Sequence, residues 1–197
     1  MCIRDRAREG SNVVINSFSD ENTQALAKEL EALGVKVVAV AGDITKSAVI
    51  LRMVAAAIDA FGQIDIVVNN VGGGAAADID DTDNPLAEVE ALWDGTYAMS
   101  LKAPVLMCEA VMPHLIEKRS GKIINMSSLA GRAGMPHVDL VPLSASYHSS
   151  KAGLIRYTQV LADQVGRHNI NVNAICPGII YTDGWREISQ AMVENHP

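Results

Sequence analysis

The sequence predicts an α/β chain: a parallel sheet with helices on both faces. Three observations predict it. Short apolar runs alternate with longer segments of helical period, the order that yields parallel strands joined by right-handed crossovers. The run at 35–41 is apolar apart from Lys36, as a strand covered on both faces requires. No repeat, linker or low-complexity tract divides the 197 residues, so one domain with a sizeable core is expected.

The elements follow in order. A short apolar strand covers 12–16. Residues 21–33 place Ala25, Leu26, Leu30 and Leu33 at helical spacing, and Gly34 ends that helix. The strand at 35–41 leads to a helix at 49–61, closed by Gly62, and to a strand at 64–70. Residues 72–85 form a loop rich in Gly, Ala and Asp. A long helix spans 86–116 and is expected to break or kink near Pro104 and Pro113, because proline removes a helix donor and crowds the preceding turn. A strand at 122–126, a long loop at 129–146, a helix at 147–167 and a strand at 170–176 complete the series.

Composition excludes several function classes. A net charge of −7, with no basic run, argues against nucleic-acid and anionic-membrane partners. Aromatic residues make up 4%, too few for base-stacking platforms. No apolar run reaches spanning length, and no signal peptide opens the chain. Cys2, Cys108 and Cys176 are too scattered for a disulfide framework and suit a reducing cytoplasm. His114, His137, His148, His168 and His196 lack metal-ligand spacing, so no metal site is expected.

Tyr147 and Lys151 are the chemically distinctive pair. Positions i and i+4 share one helix face. A fixed ammonium beside a phenol favours the phenolate, lowering an ordinary pKa of about 10. The pair can then exchange a proton with a carbonyl or alcohol oxygen near neutral pH. Tyr-x-x-x-Lys alone equally describes a surface helix with a chance pairing. Its company narrows the choice. Ala41-Gly42-Asp43-Ile44 comes first, then Ile-Asp-Ile-Val-Val-Asn-Asn-Val-Gly at 64–72 and Gly-Lys-Ile-Ile-Asn-Met-Ser-Ser-Leu-Ala-Gly at 121–131. Ile-Asn-Val-Asn-Ala-Ile-Cys-Pro-Gly-Ile-Ile-Tyr-Thr-Asp follows the pair at 170–183.

In this order the segments resemble the short-chain dehydrogenase/reductase family, with a 3-oxoacyl reductase-like character, over residues 7–185. The resemblance implies a Rossmann-type doubly wound sheet and an NADP(H)- or NAD(H)-dependent oxidoreductase that moves a hydride between nicotinamide and a carbonyl or secondary alcohol. It implies Tyr147 as general acid/base and Lys151 as the cation that tunes it and binds the ribose hydroxyls. Ser128 would orient the substrate carbonyl, while Ser127 caps or turns the strand end. Ser100 stands where the family has Asn, so a proton relay through it is either served by serine or impaired. Tyr147 follows Ser128 by 19 positions, about six more than is usual in the family. The extra residues, within 132–143, either shape specificity or form a neutral surface loop.

The same resemblance assigns cofactor contacts. Asp43 and Ile44 resemble the adenine-contact pair, with an ordinary N-cap aspartate as the competing reading. Asn69, Asn70 and Gly72 resemble an Asn-Asn-x-Gly motif in which the glycine lets the backbone approach the cofactor. Pro177, Gly178, Ile179 and Thr182 resemble the loop that holds the nicotinamide carboxamide, Cys176 reads as buried packing, and Asp183 and Trp185 begin a substrate lid. Ser17 occupies the place where NAD-preferring relatives carry an acid, which leaves the NADP 2′-phosphate unopposed, although no Arg or Lys stands in 16–19 to attract it. NADP is therefore expected, with NAD possible.

The ends differ from the family pattern. Residues 7–15 resemble the end of a first helix and a second strand, so a first strand and Gly-rich turn are expected to be lacking. Residues 1–6 resemble a translated sequencing adapter and read as non-native, leaving 7–197 as a partial single domain, with a genuine short variant as the competing reading; family members run to about 250 residues. Weak cofactor binding and marginal folding are expected of such a chain, because the Gly-rich turn cradles the pyrophosphate and the first strand is central. The partner is a small carbonyl or alcohol, and family resemblance implies a homodimer or homotetramer of the full-length protein. A non-catalytic nucleotide-binding or scaffold homologue, or an inactive fragment, is the alternative.

Overall fold

The computed structural model describes residues 3–73, 83–133, 145–178 and 180. The elements run α1 (Ile3–Arg8), β1 (Val13–Ser17), α2 (Asp20–Glu31), β2 (Val37–Ala41), α3 (Ser47–Phe61), β3 (Ile66–Asn69), α4 (Ala87–Tyr97), α5 (Ala103–Lys118), β4 (Gly121–Met126), α6 (Ala145–Val165) and β5 (Ile170–Ile175). The alternation read from the sequence is present, and every described pairing is parallel. Among the described residues the strands form two sheets, β1–β2 and β3–β4–β5.

The helices begin and end for local reasons. Ser19 starts α2: its hydroxyl accepts the Asn22 N–H, removing one orphan donor of the first turn. The Gly62 N–H caps α3 on the Ile58 carbonyl. The long helix expected at 86–116 is interrupted near Pro104, as expected, but not at Pro113. A π-helical turn at Ala98–Lys102 separates α4 from α5, and Pro104, which has no N–H to donate back into that turn, lies in the first turn of α5. Pro113 lies inside α5 without ending it. The expected loop at 129–146 also differs: a 3₁₀ turn occupies Leu129–Gly131, and α6 begins at Ala145, two residues before Tyr147. Past Val165 the helix tightens into a 3₁₀ turn over Gly166–His168.

Two apolar clusters hold these layers. Ala7, Val13, Ile15, Ala27 and Leu30 bury one face of the two-stranded sheet against α1 and α2. Ile50, Val67, Met107, Cys108, Val111, Leu115, Ile123, Leu161 and Ile170 are among those that pack α3, α5 and α6 on the three-stranded sheet. A buried polar chain crosses this second cluster. Asn69 Nδ2 donates to Asn125 Oδ1 at 2.8 Å, Asn125 Nδ2 to Thr158 Oγ1 at 2.9 Å, and the Thr158 hydroxyl to the Leu154 carbonyl at 2.7 Å. Each buried donor finds a partner, so the chain joins β3, β4 and α6 without stranding a polar group.

Candidate active site

Parallel strands end on one side of their sheet, and most of the candidate residues lie at those carboxyl ends. Ser17 is paired with Ala41, Asn69 with Asn125, and Met126 with Ile175. The ladder continues past β4: the Ser127 N–H donates to Ile175 at 2.8 Å and the Leu129 N–H to Pro177 at 2.8 Å. Pro177 and Gly178 are thereby held beside Ser128.

Lys151 is the most enclosed charged group of the site, 2% exposed, on the buried face of α6. Its Nζ donates to the Met126 carbonyl at 2.7 Å and lies 5.7 Å from the centre of the Tyr147 ring, as the i, i+4 spacing requires. Burial pushes the Lys151 pKa down to about 8, because removing an ammonium from water disfavours its charged form. It is still mostly a cation at neutral pH.

Gly72 faces this ammonium. A Cβ there would sit 2.5 Å from Lys151 Nζ, so any larger residue would have to displace the lysine tip from its present place. Ser100, fully buried in the π-helical turn, fixes the next residue: the Gly73 N–H donates to Ser100 Oγ at 3.1 Å, and the Ser100 hydroxyl donates to the Gly73 carbonyl at 2.9 Å. Asn70 follows β3 and is exposed, whereas Asn69 is buried in the polar chain. The two asparagines therefore separate into a structural and a surface position.

The capping role expected of Ser127 falls to its neighbour. Ser128, not Ser127, caps the 3₁₀ turn, its Oγ accepting the Ala130 N–H at 3.2 Å. That bond uses a lone pair and leaves the hydroxyl proton for another acceptor. Ser127 is buried, and its hydroxyl donates to the Lys151 carbonyl at 2.8 Å.

On the nucleotide side, Asp43 is not the N-cap of α3; that position is Lys46. Asp43 Oδ1 instead accepts from the Thr45 N–H and hydroxyl at 2.8 and 2.7 Å, closing the turn after β2. The Ile44 side chain is in the core, which leaves its backbone for any contact outward. Arg52, from the second turn of α3, reaches back to donate to the Ala41 carbonyl at 3.0 Å, beside the strand end paired with Ser17. Cys176 is half-buried rather than packed away; Cys108 is the enclosed thiol, pushed up to about 11 by burial. Ile179, Thr182, Asp183, Trp185 and residues 134–143 of the insertion lie outside the described residues. Among the described residues no cluster of three His, Cys, Asp or Glu could hold a metal, and no helix is long and apolar enough to cross a membrane.

Sequence reasoning missed Arg52, Asn125 and Thr158. Asn125 carried a usable signal, since a polar amide inside an apolar strand needs partners. Nothing in the spacing of Arg52 from Ser17 announces their proximity.

The short chain dehydrogenase family model matches residues 2–193. The dehydrogenase subunit BbsD of Thauera aromatica, named for (2S)-[(R)-hydroxy(phenyl)methyl]succinyl-CoA, is 36% identical over 184 residues, covering 93% of this chain and 69% of that protein. The 3-oxoacyl-[acyl-carrier-protein] reductase FabG of Staphylococcus epidermidis is 32% identical over 185 residues, covering 93% and 70%. A crystal structure of a short-chain dehydrogenase/reductase from Burkholderia xenovorans superposes with a TM-score of 0.79 at 28% identity, covering 99% of this chain and 73% of that one. With nearly its whole length matched, this chain belongs to the short-chain dehydrogenase/reductase family of oxidoreductases.

Proposed function

We propose that this chain is an NADP(H)-preferring oxidoreductase acting on a carbonyl or secondary alcohol, with Tyr147 as its general acid/base. The single observation that carries the reading is the Tyr147–Lys151 pair, whose ammonium is buried, held by the Met126 carbonyl and 5.7 Å from the ring centre. A cation held near the ring stabilises negative charge developing on the phenol oxygen as it gives up its proton. The Ser128 hydroxyl, with its proton uncommitted by the cap, would orient and polarise the substrate oxygen. When bound, the nicotinamide cofactor supplies or accepts the hydride.

The residues present fit such a group. The absent Cβ at Gly72 leaves backbone open beside Lys151, which has donors for ribose hydroxyls. Asn70, Pro177 and Gly178, with Ile179 and Thr182 beyond them in sequence, would line the nicotinamide side. Asp43, the Ile44 backbone and Ser17 would line the adenosine side. Ser17 offers no carboxylate to repel a 2′-phosphate, and Arg52 supplies the cation that 16–19 lack. The relatives' names point to an acyl group carried on CoA or on a carrier protein as the substrate class.

The test is titration of the chain with NADPH and NADH by cofactor fluorescence, followed by turnover of 3-oxoacyl thioesters with NADPH. Tyr147→Phe is expected to cut kcat about a hundredfold or more while cofactor binding persists. Undiminished turnover in that variant would remove Tyr147 from the role. One observation favours a second reading, binding without turnover: the Ser100 hydroxyl is already engaged as donor and acceptor at Gly73, leaving one lone pair for a relay water. Cofactor binding with no turnover on any thioester or simple carbonyl would support it.

A further inference from the structure

We infer that Ser127, seconded by Gly131, is a positioning residue that sets where Lys151 stands relative to Ser128, an inference that rests on the oxidoreductase reading above.

The argument begins with strand alternation. Successive side chains of an extended segment point to opposite faces. Ser128 is extended, with φ −159 and ψ 158, and the ladder to β5 continues on both sides of it. One serine of the Ser-Ser pair must therefore face α6 and the other must face away. Ser127 is the inward one, 6% exposed, and Ser128 is half-exposed.

The inward hydroxyl does not bond to its own segment, as serines commonly do. It crosses 24 residues to donate to the Lys151 carbonyl at 2.8 Å. The residue just before it takes the other end of the same lysine, through the Met126 carbonyl and Nζ at 2.7 Å. Consecutive residues of one strand end thus grip the backbone and the side-chain tip of Lys151, and the next residue along is Ser128.

Gly131 removes the remaining slack. A Cβ there would lie 2.7 Å from the Lys151 carbonyl carbon and 2.8 Å from the Ala152 nitrogen. Both are helix backbone, which cannot turn aside, so only glycine lets the 3₁₀ turn seat against α6 at this point. Three contacts from 126–131 converge on residue 151, and they fix one geometry between the hydroxyl of Ser128 and the cation paired with Tyr147.

The experiment reads Lys151 itself. Lys151 Nζ is titrated by nitrogen-15 NMR in the full chain, its signal assigned by its disappearance in Lys151→Met. Ser127→Ala is expected to free α6 at this point, hydrate Nζ and raise its midpoint from about 8 by about one unit. Ser127→Thr, which keeps the hydroxyl, is expected to restore it, and Gly131→Ala to move it as Ser127→Ala does. In turnover, Ser127→Ala should lower kcat roughly tenfold with little change in KM, since small misplacements of reacting groups are costly. A Ser127→Ala chain that melts earlier with an unmoved Lys151 midpoint would reduce Ser127 to plain packing and overturn the inference. If Ser127→Ala does not fold, Ser127→Cys carries the same measurement. The titration needs no turnover, so a failure here is distinct from a Tyr147→Phe chain that stays active, which would overturn the parent reading alone.

Discussion

In the two-stranded sheet, β1 buries Val13 and Ile15, while no residue of β2 is fully enclosed. In the three-stranded sheet, β4 is paired on both sides and takes Ile123 and Asn125 to zero exposure. The two units share a parallel plan but divide the proposed work. Groups that must hold a fixed mutual geometry, namely Lys151, Ser127, Ser128 and Gly72, all lie on or against the doubly paired unit. Ser17, Asp43 and Arg52, proposed to read the nucleotide's distal end, lie at the edge of the smaller one. Chemistry that depends on sub-ångström placement is seated where neighbours over-determine it, whereas recognition of a flexible phosphate tolerates a looser base.

The comparison breaks most readily in the two cores. Leu115 and Leu30 are both fully buried, one in each cluster. Replacing either by alanine should cost about 2–5 kcal/mol, read by denaturant unfolding. The difference lies in where protection is lost. In native-state hydrogen exchange, Leu30→Ala should expose the β1 and β2 amides while leaving β4 protected, and Leu115→Ala should weaken β3 to β5. Uniform loss in both variants would mean one cooperative unit and would dissolve the distinction.

A smaller effect sharpens it through pH. Lys151 titrates near 8 in the folded chain against an ordinary 10.5, so between those values the unfolded chain binds the extra proton. Stability should therefore rise as pH goes from about 8 to 10.5, by on the order of 1–3 kcal/mol; below 8 the cost of burying the cation is present in full. The rise should vanish in Lys151→Met, compared by urea unfolding across that range. A rise of equal size in Lys151→Met would assign it to other groups.

The smallest effects belong to the surface pairs. Arg4 holds Glu29 in the two-stranded unit, Nη2 to Oε2 at 2.7 Å, and Lys118 holds Asp65 in the other. These exposed carboxylates are screened by water, so Arg4→Met should shift Tm by about 2 °C or less. Lys118→Met should do slightly more, because Lys118 Nζ also donates to the Ile64 carbonyl at 2.7 Å. A large loss from Arg4→Met would show α1 fastening the smaller unit more firmly than its few buried residues suggest.

The sequence by itself determined the alternation of strands and helices, because burial on both sheet faces writes short continuous apolar runs between segments of helical period. Its ordered motifs carried the resemblance that pointed to the family and to the candidate group Ser128, Tyr147 and Lys151, of which the i, i+4 spacing of the last two is a local property. The sequence placed a break near Pro104, where the π-helical turn ends two residues earlier, but also one near Pro113, which α5 passes through unbroken. Only the tertiary structure decided which serine faces α6, that Ser100 is committed to Gly73, and that Arg52 lies beside the end of β1. Each of these depends on contacts between residues tens of positions apart, and such contacts follow from how layers pack rather than from any local period.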